Sequence, residues 1–316
     1  MFPVTKAALA AIAILLIAPA EAAEKKTVAI TQIVEHPALD ACRKGIEDEL
    51  KARGVEAEFA YESAQGNPGT AAQIARKFAG DAPDVIVAIS TPSAQAVVAA
   101  AKDIPVVFTA VTDPVGAKLI QNTDKPGGNV TGMTDLSPID QHLALIRRIT
   151  PNVKTLGVIY NPGEANSVTL VDLVKKHAGA NQLTIVEAAA PRSNDVLAAA
   201  RSLVGKVEAI YVPTDNTVVS ALEGVIKTGT ESKIPVYAGD TDSVPRGAIA
   251  ALGFNYYDVG RQTGAIVARV LMGEKPGDIA VQGVEKTELA VNPKSAQAMG
   301  VTIPAEVVAE AKTVVK

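Results

Sequence analysis

The chain has 316 residues, 30 basic and 34 acidic side chains, a formal net charge of −4, and 48% hydrophobic against 20% charged residues. That length predicts about two domains, and the hydrophobic share excludes a disordered chain. Mild acidity without a basic block argues against a nucleic-acid partner, and a single cysteine, Cys42, rules out an internal disulfide and a cysteine-built zinc site.

Residues 1–22 read as a secretory signal. Lys6 precedes an apolar run from Ala7 to Ala18, and Ala18, Ala20, Ala22 and Ala23 place small residues ahead of Glu24. The run is shorter than the roughly 20 apolar residues that a transmembrane helix needs. No cysteine stands near the cleavage point, so the expectation is a free periplasmic protein without a lipid anchor.

Thr27 to Thr31 is a short β-type run, followed by a helix with Leu39, Cys42, Ile46 and Leu50 on one stripe. Glu56 to Tyr61 reads as the next strand, then comes a helix with Ala71, Ile74 and Phe78 inward. Val85 to Ile89 is continuously apolar, as in a parallel strand covered on both faces. A helix from about Ser93 to Ala101 leads to the strand Pro105 to Thr109. Strict alternation of this kind predicts a doubly wound parallel α/β sheet.

The pattern then starts again. Lys26-Thr-Val-Ala-Ile is echoed at Lys154, an offset of 128, and Ile104-Pro-Val-Val-Phe is echoed at Ile234, an offset of 130. Between them Asp84-Val-Ile-Val-Ala is echoed at Glu208, an offset of 124. Two copies of one lobe follow, too few for a solenoid. A further strand, Gly247 to Leu252, a helix, Asp258 to Leu271, and a last strand near Glu288 to Val291 complete the chain. The economical arrangement is a three-crossover hinge, with crossings near Asn129 to Asp135, near Gly253 and near Pro276. It divides the chain into an N-terminal lobe, 24–132 plus about 254–275, and a C-terminal lobe, 133–253 plus about 277–316.

Ligands of open parallel sheets bind outside the carboxyl ends of the strands. Here those ends carry Gln32 and His36, Ser90 and Thr91, Thr109 and Thr112, then Asn166 and Ser167, Asp215 and Asn216, and Asp240. Ser90, Thr91 and Ser93 head a helix whose free N–H groups favour an anion such as a carboxylate, whereas Asp215 and Asp240 suit an ammonium. These loops hold no Arg or Lys before Arg246, which disfavours phosphates and dicarboxylates. A ligand with one carboxylate and one ammonium, an amino acid, fits best. Taken singly, each of these residues reads equally well as a helix cap or turn former.

Catalysis finds no support. The motifs of hydrolases, metalloproteases and nucleotide-binding loops are missing, so no catalytic residue, metal or cofactor is nominated. His142 and His177 read as packing or surface residues, His36 as a residue lining or capping the cleft, and Cys42 as a buried inert thiol.

Five motifs in order carry a family resemblance: Gln32-Ile-Val-Glu-His-Pro-Ala-Leu-Asp40, Thr91-Pro-Ser-Ala-Gln95, Val107-Phe-Thr-Ala-Val-Thr-Asp-Pro114, Tyr160-Asn-Pro-Gly-Glu-Ala-Asn-Ser167 and Tyr211-Val-Pro-Thr-Asp-Asn216. From about Lys26 to Ile303 the chain resembles the ABC-transporter substrate-binding family that includes tryptophan- and tyrosine-binding lipoproteins. The resemblance implies the type I periplasmic binding protein fold and a monomeric receptor that passes a small solute to an inner-membrane permease. It also implies a carboxylate held by Ser90 and Thr91 with Thr109 and Thr112, and an ammonium on Asp215 or Asp240. Asn166, Ser167 and Asn216 would close over the ligand, with Tyr160, Phe108 and Tyr237 flanking it. The resemblance favours an aromatic amino acid as the ligand; aromatic residues are 3% of the chain and tryptophan is absent, which weakens a sugar-binding reading and keeps an aliphatic amino acid as the alternative. A solute-sensing subunit of a signalling system is the alternative role, and a periplasmic enzyme on the same scaffold a third.

Overall fold

The computed structural model describes residues 25–284 and 286–316, so the leader read in residues 1–22 lies outside the described residues. The first lobe begins β1 (Lys26–Gln32), α1 (Pro37–Ala52), β2 (Ala57–Ser63), α2 (Pro68–Asp81), β3 (Val85–Ile89), α3 (Thr91–Ala100), β4 (Val106–Val111) and β5 (Val130–Thr134). Strands β3 and β4 are buried along their whole length, which requires helices on both faces of the sheet. Local chemistry starts those helices where they start: Asn67 accepts the Thr70 N–H ahead of Pro68, which opens α2 with a preset φ.

The chain then builds the second lobe as α4 (Ile139–Ile149), β6 (Thr155–Tyr160), α5 (Ala165–Ala178), β7 (Thr184–Ala189), α6 (Val196–Ser202) and β8 (Ala209–Val212). It continues through α7 (Asn216–Ser220), α8 (Leu222–Ser232), β9 (Val236–Ala238) and β10 (Ala250–Gly253). It returns to the first lobe as α9 (Tyr256–Leu271) and β11 (Gln282–Gly283), and crosses back as β12 (Glu288–Val291), α10 (Pro293–Ala298), α11 (Ala305–Glu310) and β13 (Thr313–Val314).

The first sheet has the order β11-β5-β4-β3-β1-β2 and the second β13-β12-β10-β9-β8-β6-β7. Pairing is parallel throughout except between β10 and β12. Each sheet has its own core. The first joins residues from Val28 to Met133 with Phe254 to Ile279, and the second runs from Ile139 to Ala250 and resumes at Val291. The third crossing lies between β11 and β12, beyond the Pro276 position read from the sequence. Residues 277–283, read there as part of the second lobe, stay on the first sheet: Ile279 is buried in the first core, the Thr131 hydroxyl donates to its carbonyl at 2.7 Å, and Gln282 pairs beside Met133.

Helix α9 seats on α1 through glycines. A Cβ added at Gly260 would overlap the Cys42 carbonyl, and one at Gly45 would overlap that of Tyr257. Gly260→Val is therefore expected to destabilise the protein by about 2–3 kcal/mol, or more if the helices separate. A thermal melt checks this, and an unchanged melting temperature would contradict the close approach. Cys42, beneath this contact, has its thiol pushed up to about 12, mainly by burial. It should resist alkylation in the native protein and react on unfolding.

No helix among the described residues is long and apolar enough to cross a membrane.

Candidate functional site

The carboxyl ends of both sheets face one another across a cavity of about 340 Å³. Its first-lobe wall contains His36, Leu39, Ala110, Thr112 and Asp135; its second-lobe wall contains Asn166, Thr214, Asp215, Asn216 and Asp240; Tyr256 of α9 completes it.

Backbone irregularities deliver the first-lobe wall. The β4–β5 register shifts between Phe108 and Val111, and Ala110 adopts φ 52°, a left-handed conformation rare for a residue with a Cβ. Thr112 emerges from this bulge and donates to Asp135 at 3.4 Å, while the Tyr256 hydroxyl donates to the other Asp135 oxygen at 2.7 Å. Asp135 follows the first crossing strand and Tyr256 follows the second, so this bond ties two hinge segments at the cavity wall. His36 caps α1 with Pro37 behind it, and its imidazole is pushed down to about 3 by burial first and by the Arg246 charge second.

Helix caps deliver the second-lobe wall. Asp215 accepts the Val218 N–H at 2.8 Å as the α7 cap and the Asn161 N–H at 2.6 Å. Asp240 accepts both the N–H and the hydroxyl of Ser243, at 2.8 and 2.7 Å. Each is thus a helix cap and also lines the cavity. Asp135, Asp215 and Asp240 are all buried, and burial is the largest cause raising each carboxyl above its usual range. For Asp215 the value reaches about 7, with the Glu164 carboxylate the second cause. Among the described residues no Lys or Arg lines the cavity. Arg246 stands near it, held on Glu223 and the Val219 carbonyl. Three buried carboxyl groups thus face one space, where burial disfavours their ionised forms.

The structure therefore gathers His36, Thr112, Asn166, Asp215, Asn216 and Asp240 of the residues read from the sequence. Ser90 and Thr91 lie outside this lining, at the head of α3, the helix that approaches α5 of the other lobe. Ser90 has φ 83° and ψ 158°, a strained conformation for serine, and the buried hydroxyls of Ser90, Thr91 and Ser93 have no partner among the described residues. Gln32 spends its amide N–H groups on the Val34 carbonyl and Asp40, and Ser167 accepts from Asn166. Thr109 is a correction. Its hydroxyl accepts from Thr263 at 2.7 Å and meets Cys42 at 3.6 Å, beneath α1 and α9, because it precedes the bulge. None of the three aromatic candidates lines the cavity: Phe108 is core beside Gly132, Tyr237 bonds Thr150, and Tyr160 bonds Glu187 at 2.8 Å on the exposed edge.

Sequence reading missed Asp135, Tyr256 and Glu164. Asp135 was legible only as an acid closing the first crossing. Glu164 lay inside a quoted loop. Among the described residues no group of His, Cys, Asp and Glu is arranged to hold a metal ion.

A family model described as ABC transporter substrate binding protein matches residues 27–315. A curated relative, the tyrosine-binding protein of Clostridioides difficile strain R20291, is 42% identical over 280 residues, covering 87% of this chain and 81% of the relative. The structure of an ABC domain in complex with L-Trp from Streptococcus pneumonia is 37% identical with TM-score 0.89, covering 92% of this chain and all of that one. An open, ligand-free substrate-binding protein from Clostridium difficile is 42% identical with TM-score 0.69, covering 92% of this chain and 99% of that one. The chain thus superposes more closely on the L-Trp complex than on the open protein, although the open protein is the more similar of the two in sequence.

Proposed function

From the premise that this chain belongs to the family of ABC transporter substrate-binding proteins, whose members work outside the cytoplasm, we propose that it captures a free aromatic amino acid between its lobes and closes over it. The observation that carries this reading is the set of three buried carboxylates, Asp135, Asp215 and Asp240, around one interlobe cavity without a basic lining residue. An ammonium both neutralises and hydrogen-bonds these carboxylates, whereas a sugar supplies hydroxyl donors without charge and an anion is repelled. The ligand's carboxylate goes to the head of α3, where Ser90, Thr91 and Ser93 hold unpartnered hydroxyls beside free backbone N–H groups. Its side chain packs on Ala38, Leu39, Ala110 and Val219, a wall of apolar groups. The names of the tyrosine-binding relative and of the L-Trp complex support the aromatic class.

The protein acts as a monomer in the periplasm after removal of its leader, and hands its ligand to an inner-membrane permease. Closure follows from a ligand that touches both lobes and so binds the closed form better.

A thermal-shift and calorimetric panel of the amino acids, with glucose and inositol as controls, tests this. L-Tyr or L-Trp should raise the melting temperature most. Stabilisation by Leu or Val instead would replace the aromatic class by an aliphatic one, and no response to any amino acid would overturn the reading.

A further inference from the structure

Glu164 lies outside the cavity lining, yet it is 6% exposed and joins the two motifs that build the second-lobe wall. One carboxylate oxygen accepts from the Asn216 amide nitrogen at 2.5 Å, the Asn216 N–H at 3.3 Å and the Asn166 amide nitrogen at 3.3 Å. The other accepts from the Thr217 hydroxyl at 2.7 Å, the Thr217 N–H at 3.2 Å and the Asn161 amide nitrogen at 3.4 Å. All of its partners are donors.

An ionised carboxylate only accepts hydrogen bonds, so an asparagine facing it must present its NH₂ group. That fixes which way Asn216 is turned and, together with the Thr214 carbonyl, which accepts from the same Asn166 nitrogen at 3.3 Å, which way Asn166 is turned. The Asn166 carbonyl oxygen is left buried and without a partner among the described residues, on a side chain that lines the cavity. The Asn216 side chain and His36 of the opposite lobe line the same cavity. Asp215, the residue before Asn216, stands beside them and shares Asn161 with Glu164: it accepts that residue's backbone N–H, while Glu164 accepts its side-chain N–H.

We propose that Glu164 is the positioning residue of the ammonium subsite: it turns the Asn166 and Asn216 amides so that their carbonyl oxygens, with the Asp215 carboxylate, form one acceptor face for the ligand's amine. This rests on the amino-acid reading above and adds what makes the pocket selective for an amine over the same molecule without one. In Glu164→Gln one carboxylate oxygen becomes an NH₂ group facing donors: set toward Asn166 and Asn216 it turns both amides, and set toward the other side it breaks the Thr217 and Asn161 bonds, while either setting removes the charge that draws the two NH₂ groups.

The test compares L-tyrosine with 3-(4-hydroxyphenyl)propanoate, which lacks only the amine, by calorimetry on the full mature protein. Wild type should prefer L-tyrosine by about a hundredfold or more, and Glu164→Gln should weaken L-tyrosine at least about tenfold while leaving the deaminated acid within about twofold. A purely structural role would weaken both probes alike, and that result, or an unchanged preference, overturns the assignment. Should Glu164→Gln fail to fold, Asn166→Ala removes one of the two carbonyls directly. It must weaken L-tyrosine alone, and equal weakening of both probes overturns the proposal. A wild type that does not prefer L-tyrosine would instead fail the amino-acid reading itself, and this inference with it.

Discussion

Asp215→Asn is expected to lower amino-acid affinity by roughly two to three orders of magnitude, the scale of removing one partner from a buried charge pair. Asparagine caps helices as well as aspartate does, so its carbonyl oxygen can keep the Val218 bond and α7 its start. Its NH₂ then faces the Asn161 N–H that the second carboxylate oxygen accepts, so the melting temperature of the free protein should fall modestly, the loss of repulsion from Glu164 offsetting part of that cost. Asp215→Ala is the weaker experiment: it also deletes the cap, at about 1 kcal/mol, and mixes a folding defect with a binding one. Calorimetry and a thermal melt on the asparagine variant separate the two effects. Wild-type affinity in that variant would show that the ammonium rests on Asp135 or Asp240 instead.

Affinity should also fall as pH drops below about 7. In the free protein burial and the Glu164 charge hold the Asp215 proton up to about pH 7, whereas an ammonium favours the ionised form. Binding therefore expels a proton in the window between the liganded value and about 7, and affinity rises with pH across that window by up to tenfold per unit. Stability of the free protein runs the opposite way. Between the ordinary carboxylate value and about 7 the folded protein holds a proton that the unfolded chain has lost, so burial of Asp215 costs more stability as pH rises. A bound ammonium cancels that cost, and the ligand-induced thermal shift should be larger at pH 8 than at pH 5.

The other groups facing this space fit that window. Asp240 and Asp135 are raised as well and add to the trend, and Asp242 is raised to about 6, by burial first and Asp240 second. His36, held down to about 3, stays neutral throughout. Arg246 is engaged by Glu223. A thermal shift independent of pH would remove Asp215 from the ammonium subsite.

Much of the fold was legible because its strands are continuous apolar runs and its lobes repeat. Val85 to Ile89 allows no reading but a strand covered on both faces, and its echo at Ala209–Val212 carries the same burial. The site was legible in part for a topological reason: parallel sheets present their carboxyl ends together, so His36, Asp215 and Asp240 could be placed without a structure. Thr109 was misread because one residue decides which face of a strand a side chain takes, and the bulge at Ala110 falls immediately after it. Asp135 and Tyr256 were missed because they belong to crossings, where no periodic pattern runs. Glu164 was missed because its effect passes through amide orientations, which composition does not encode.

The return of α9 and β11 to the first lobe also sets the order in which the protein can be made. Residues up to 134 supply five strands of the first sheet, but the helix that covers Cys42, Ile46 and the glycine face of α1 arrives only after residue 255, and the sheet edge at β11 only at residue 282. A chain emerging from the ribosome therefore holds an unfinished first lobe, with its α1 surface bare, throughout synthesis of the second. The lobe that starts first finishes late, and domain-by-domain folding behind the growing end is closed to this topology. For nearly the whole of its synthesis the polypeptide remains an incomplete fold with an open apolar face, the kind of surface that chaperones hold.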